Sequence, residues 1–225
     1  MKKNEKIEKV TFLEFIEKNR KGVFIFGAVL IALAIGAIAL ISVYDVLNKK
    51  AIEQIELLAV RFDDLRFNIN DENYTDEVNT LLEELEAFGK NNFGIAAGRA
   101  FSYAGRIYSS REDWAACEES WLKASQKGNK TYLAPIALFN VAAAAEEQGK
   151  IEQAIEFLQK SVEHSFEFPA APRAQFNIGR LNEQLGDNQA ALAAYREVLT
   201  NWQNIPVWPD LARSAILRIE VEEVQ

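Results

Sequence analysis

Hydrophobic and polar positions along the chain fall into three regimes. From Val23 to Tyr44 (VFIFGAVLIALAIGAIALISVY) no charge interrupts 22 positions. A helix of that length rises roughly 33 Å, enough to cross a hydrocarbon core of ~30 Å, so residues 23–44 are read as a transmembrane helix. Before it, Ile7, Val10, Leu13 and Ile16 recur at helical spacing among Lys and Glu, and Thr11 and Glu14 have the spacing of a capping box. Residues 1–22 are therefore expected to form a short amphipathic segment. After the apolar run, Ile55, Leu58, Phe62 and Leu65 keep the helical period. Leu81, Leu82, Leu85 and Phe88 mark a second helix beyond the polar break Asn68–Asn73. Residues 45–91 are read as a helical hairpin next to the membrane. No Pro or Gly occurs from position 37 to position 88, so the spanning helix is expected to run unbroken into that hairpin.

The third regime repeats. The five prolines fall into two registers, Pro135, Pro172 and Pro209, then Pro169 and Pro206, each step being 37 residues. The same shift carries Phe139 to Phe176, Asn140 to Asn177, Gly149 to Gly186 and Ala154 to Ala191. A period of this size marks stacked supersecondary units. Each unit reads as two antiparallel helices. Proline suits the first turn of a helix, where no amide donor is needed, and Gly149 and Gly186 suit the turn between helices. Small residues recur where the helices of a pair cross: Gly105, Ala142 and Gly179 on the first, Cys117, Ala154 and Ala191 on the second. Trp121, Leu158 and Tyr195, one turn further on, are expected to fill the core.

Those residues resemble the tetratricopeptide (TPR) pattern: small–x2–Tyr from Gly105 to Tyr108, then small–x3–aromatic from Cys117 to Trp121 and from Ala191 to Tyr195. The resemblance covers Gly98 to Gln225 and implies an all-α fold, with a single N-terminal transmembrane helix followed by a TPR-like array of helical hairpins. Within residues 92–225 the repeats are placed at 98–134, 135–171 and 172–208, with a capping helix at 209–225. The period of 37 exceeds the usual 34, and the surplus fits the connectors 128–134, 165–171 and 202–208. The charged start FLEFIEKNRKG, one span, an extended helix and then repeats is also similar in layout to the membrane-anchored ancillary subunit of the bacterial Sec translocon. That resemblance implies periplasmic protein partners, among them translocon subunits or a chaperone. An envelope scaffold for outer-membrane assembly or cell-wall machinery is the other reading.

Charge fixes the expected orientation. Seven Lys and Arg precede the span and three occur in the 20 residues after it, which places the N-terminus in the cytoplasm and the repeats outside. The apolar run is longer than the ~7–15 residues of a signal peptide core, so it is read as an anchor that is kept. Beyond position 44 the chain has 29 acidic and 18 basic residues, a net of −11. Nucleic acid and anionic lipid surfaces repel such a domain, and no nucleic-acid partner is expected.

Catalytic material is sparse. One His and one Cys cannot assemble a transition-metal site by themselves, so no enzyme activity, metal or cofactor is expected. His164 is read as a solvated residue on the second helix of its repeat, and Cys117 as a small packing residue. Glu83, Glu84 and Glu86 read as an exposed helix face. What remains is a binding face. Counting each unit from Gly98, Pro135, Pro172 and Pro209, positions two, five, six and nine should line the groove of the first helices. They supply Arg99, Tyr103, Arg106, Phe139, Asn140, Arg173, Phe176, Asn177, Arg180 and Arg213. Five Arg on one face of an acidic domain suit an acidic or amphipathic peptide. Peptide-binding relatives of the resembled family use Asn at position six. Ser102 and Arg106 replace the Lys and Asn that complete their carboxylate clamp, so C-terminal-carboxylate specificity is not expected.

Overall fold

A computed structural model of the chain describes residues 20–67, 72–164 and 167–222. All regular structure among them is helical, in two compact units, Met1–Lys49 and Lys50–Gln225. Helix α1 (Arg20–Phe67) is continuous over 48 residues, as the absence of Pro and Gly from 37 to 67 permits. Its apolar stretch has a mean hydropathy of 2.9 and is long and apolar enough to cross a membrane. Phe24 and Leu40 are 78% and 73% exposed, since no described residue of that unit covers them. The expected amphipathic segment lies outside the described residues, apart from Arg20, Lys21 and Gly22 in the first turn of α1.

In the second unit, α1 contributes Ala51, Ile55, Ala59 and Phe62 as buried residues. Ala51, Ile55 and Phe62 join a cluster with Leu81, Leu82 and Leu85 of α2 (Tyr74–Asn91) and Ala100 and Ala104 of α3 (Gly94–Ser110). There follow α4 (Trp114–Lys127), α5 (Leu133–Glu147), α6 (Ile151–Val162), α7 (Ala171–Gln184), α8 (Asn188–Asn201) and α9 (Trp208–Glu222). From α2 onward each helix packs on the next, and first helices also touch across a hairpin, α3 with α5 and α7 with α9. Pro135, Pro172 and Pro209 stand in the first turns of α5, α7 and α9. Helix α3 begins a turn ahead of Gly98, at Gly94.

The hairpin turns are built alike. Gly149 and Gly186 have φ of +74° and +78°, a conformation that costs an L side chain energy. Thirty-seven residues before Gly149, Glu112 occupies the same conformation at φ +58°. Asp113 and Asp187 then cap α4 and α8, their carboxylates accepting from the Ala116 and Ala190 amides at 3.2 and 2.9 Å.

Inside each hairpin, small and large residues interlock. A Cβ on Gly105 would sit 2.8 Å from the Trp121 ring, and one on Gly179 would sit 2.5 Å from the Tyr195 ring. The middle repeat has Ala142 and the smaller Leu158 at these places, both within one buried cluster. Trp121, Leu158 and Tyr195 are buried.

One placement differs from expectation. Helix α6 stops at Val162, so His164 lies in the connector to α7 and not on the helix. The chain leaves the helix to bury Phe168 against the α5–α7 core, and Pro169 disfavours a helical Phe168. His164 is half-buried there.

Candidate functional site

The ten residues singled out on the first helices are held in four different settings. Phe139, Arg173, Asn177 and Arg180 come together, lining a cleft of about 190 Å³ between α5 and α7 with Glu146 and Leu158. Arg106 and Asn140 line a second cleft of about 450 Å³, whose other walls come from α1, α2, the end of α3 and Trp121 of α4. Arg99 and Tyr103 lie against α1. Phe176 belongs to the packing of α7, α8 and α9, while Arg213 is exposed on α9.

In the α5–α7 cleft, half-buried Phe139 packs one side on Phe168, ring centroids 5.8 Å apart. The Arg173 guanidinium lies 5.2 Å above its ring. Arg180 donates to Glu146 at 2.7 Å, closing the far end. Asn177 sits between them on the same helix face, three or four residues from each Arg. Its carboxamide makes no hydrogen bond among the described residues, and it is not sealed from solvent. It therefore keeps one acceptor and two donors.

Asn140 differs. Its amide donates to the Ile136 carbonyl of its own helix at 2.7 Å, which leaves only its oxygen and one N–H for a ligand. The expected matched pair of Asn residues is thus asymmetric. Arg99 is committed to Glu56 of α1 and to the Tyr103 hydroxyl. Its hydrogen bond holds the Glu56 carboxyl below the usual range. Tyr103 stacks on Phe62 with centroids 5.0 Å apart. Phe176 wedges between Tyr195 and Trp208, at 5.1 and 5.7 Å, so its ring serves the core. Arg213 bonds Asp210 one turn back at 2.8 Å. All five Arg on this face have intramolecular partners, three carboxylates and two aromatic rings.

Position sequence could not assign partners to these Arg, because most lie on other helices. Residues it passed over also line the clefts. Glu146 neutralises Arg180, while Phe62 and Arg66 of α1 stand beside Arg106. Glu146 and Glu183 are themselves one period apart, and Glu183 bonds both Tyr195 and Arg218. That regularity was available in the sequence. Among the described residues no group of three or more His, Cys, Asp or Glu is arranged to hold a metal ion. Cys117 is buried, and its thiol is pushed up to about 11, chiefly by that burial.

Comparison with known proteins agrees with this architecture. Two family models, each described as tetratricopeptide repeat, match residues 95–165 and 133–204. A TPR repeat-containing protein of Treponema pallidum (strain Nichols) is 32% identical over 145 residues, covering 63% of this chain and 59% of that relative. The match thus spans less than two thirds of the relative's length. With the interlocked hairpins, the two family matches identify residues 95–204 as tetratricopeptide repeats.

Proposed function

We propose that the chain is a membrane-anchored adaptor that binds a protein segment along the first helices of its repeats. The observation that carries this reading is the α5–α7 cleft. Asn177 there keeps its donors and acceptor unused, between an apolar ring and two guanidinium groups. A carboxamide so placed can bond the backbone of an extended peptide, and Phe139 offers an apolar contact beside it. Residues 23–44 supply the anchor, with the N-terminus in the cytoplasm and the repeats in the periplasm. The Lys and Arg asymmetry and the exposed apolar surface of α1 support this.

The partner we favour is the Sec translocon or a chaperone beside it, on the strength of the layout of the N-terminal third. Photo-cross-linking in intact cells, with the reactive group at Asn177, tests both parts of the reading. Recovery of translocon subunits or an export chaperone is the expected result. Recovery of outer-membrane assembly or cell-wall factors alone would replace it with an envelope scaffold. Products no different from those obtained with the reactive group at the exposed Ala193 would show that the cleft is not the binding face.

A further inference from the structure

The larger cleft differs from the α5–α7 groove in where it lies and in its charge. Its walls include Phe62, Leu65 and Arg66 of α1 and Arg106, Ile107 and Ser110 of α3, so part of it lies outside the matched repeats. Both guanidinium groups converge on one ring: Arg106 lies 5.0 Å and Arg66 5.7 Å from the Phe62 centroid. Arg106 forms no ion pair among the described residues, and Arg66 has only the exposed Asp63 at 3.8 Å. None of the described residues lining this cleft is acidic, in a part of the chain with a net charge of −11. Two like charges drawn to one aromatic ring repel each other, and an anion bound by both offsets that repulsion.

We infer that this cleft binds an acidic segment of a partner protein, with a carboxylate between Arg66 and Arg106 and an adjoining apolar side chain against Leu65 and Ile107. The volume of about 450 Å³ holds one large side chain and its neighbours. Charge complementarity selects the occupant: basic or neutral peptides leave the two Arg unneutralised. A lone phosphate would use the cationic rim and leave the apolar wall uncovered. The inference rests on the adaptor reading but uses a different site.

The probe is a fluorescein-labelled peptide of six glutamates around a central phenylalanine, titrated by anisotropy against the full chain in zwitterionic detergent. Saturable binding is expected. Arg66→Gln and Arg106→Gln should each weaken it about tenfold or more, the usual cost of losing a charged hydrogen bond. Raising salt from about 50 to about 300 mM should weaken it several-fold. Both Arg are exposed, so thermal melts of the variants should match wild type, and Arg66→Gln alone suffices if Arg106→Gln unfolds. Unchanged affinity in both variants, no binding by wild type, or equal binding of a lysine-for-glutamate peptide overturns the inference. So does displacement by millimolar inorganic phosphate together with indifference to replacing the phenylalanine by alanine, which would make this a phosphate site. If Asn177→Ala abolishes binding while the Arg variants do not, the inference falls and the adaptor reading stands.

Discussion

Glu112 holds a backbone conformation that its two periodic counterparts give to glycine. At φ +58° a left-handed conformation costs an L residue roughly 1–2 kcal/mol, while glycine adds roughly 0.5–1 kcal/mol of unfolded-state entropy. Glu112→Gly should therefore stabilise the domain by about 0.5–1 kcal/mol, read as a higher urea midpoint of the full chain in neutral detergent. Glu112→Ala removes the same charge without freeing φ, and should show no such gain. A midpoint that rises equally in both would assign the effect to charge. Cys117 gives a second test at this scale. Burial raises its thiol from an ordinary value near 9 to about 11, so the folded state keeps a proton that the unfolded state has lost between those values. Its contribution to stability is present below pH 9 and is lost as pH rises towards 11. Cys117→Ser should flatten that part of the alkaline stability profile, and an unchanged profile would refute the assignment. The turn glycines were legible because Gly marks φ above zero. Glu112 was not, because a charged residue carries no such mark; only the 37-residue shift points to it.

Each hairpin is locked by one small residue facing one large one, and the pairs vary together: Gly105 with Trp121, Ala142 with Leu158, Gly179 with Tyr195. Tyr195 cannot yield, since it is 1% exposed, stacks on Phe176 and donates to Glu183. Gly179→Ala gains about 1 kcal/mol of helix propensity, yet its Cβ would meet the ring at 2.5 Å. The overpacking cost of about 1–3 kcal/mol should win and lower the melting midpoint. Combined with Tyr195→Leu, which copies the middle repeat, Gly179→Ala should cost less than it does alone. A coupling of at least about 1 kcal/mol is expected in the double-mutant cycle, and strict additivity would refute the pairing. In the same way Ala154→Leu and Ala191→Leu, both fully buried, should each destabilise by about 1–3 kcal/mol. Ala193→Leu, on the exposed face of α8, should be nearly neutral. Helix starts and crossings were legible because proline and small residues are fixed by local geometry. The end of α6 was not, because burial of Phe168 from the following connector sets it. Nor were the partners of the face arginines: Glu56 and Arg99 are 43 positions apart, and only the fold brings them together.

For the whole molecule the deciding quantities are charge and apolar surface. Side chains such as Phe24, Leu33, Ile38 and Leu40 are exposed along the first part of α1. At roughly 25 cal/mol per Å², leaving that surface in water costs far more than any surface ion pair returns. The proposed anchoring would remove that surface from water, and the helix is long and apolar enough to cross a bilayer. The chain should therefore stay in the membrane pellet after alkaline carbonate washing. Release into the supernatant would refute the anchor. The orientation proposed above is a separate matter, resting on seven Lys and Arg before the apolar run against three after it. A C-terminal fusion to a reporter that fluoresces only when folded in the cytoplasm should be dark, and an N-terminal fusion bright. Replacing Lys18, Arg20 and Lys21 with Gln while adding four Lys after Tyr44 reverses the asymmetry to four against seven. That variant should show bright C-terminal fusions in a substantial share of molecules. If instead the unaltered chain gives a bright C-terminal fusion, the repeats face the cytoplasm, and every partner proposed in the periplasm fails with them. The carbonate result would be untouched, so anchoring and orientation stand or fall independently.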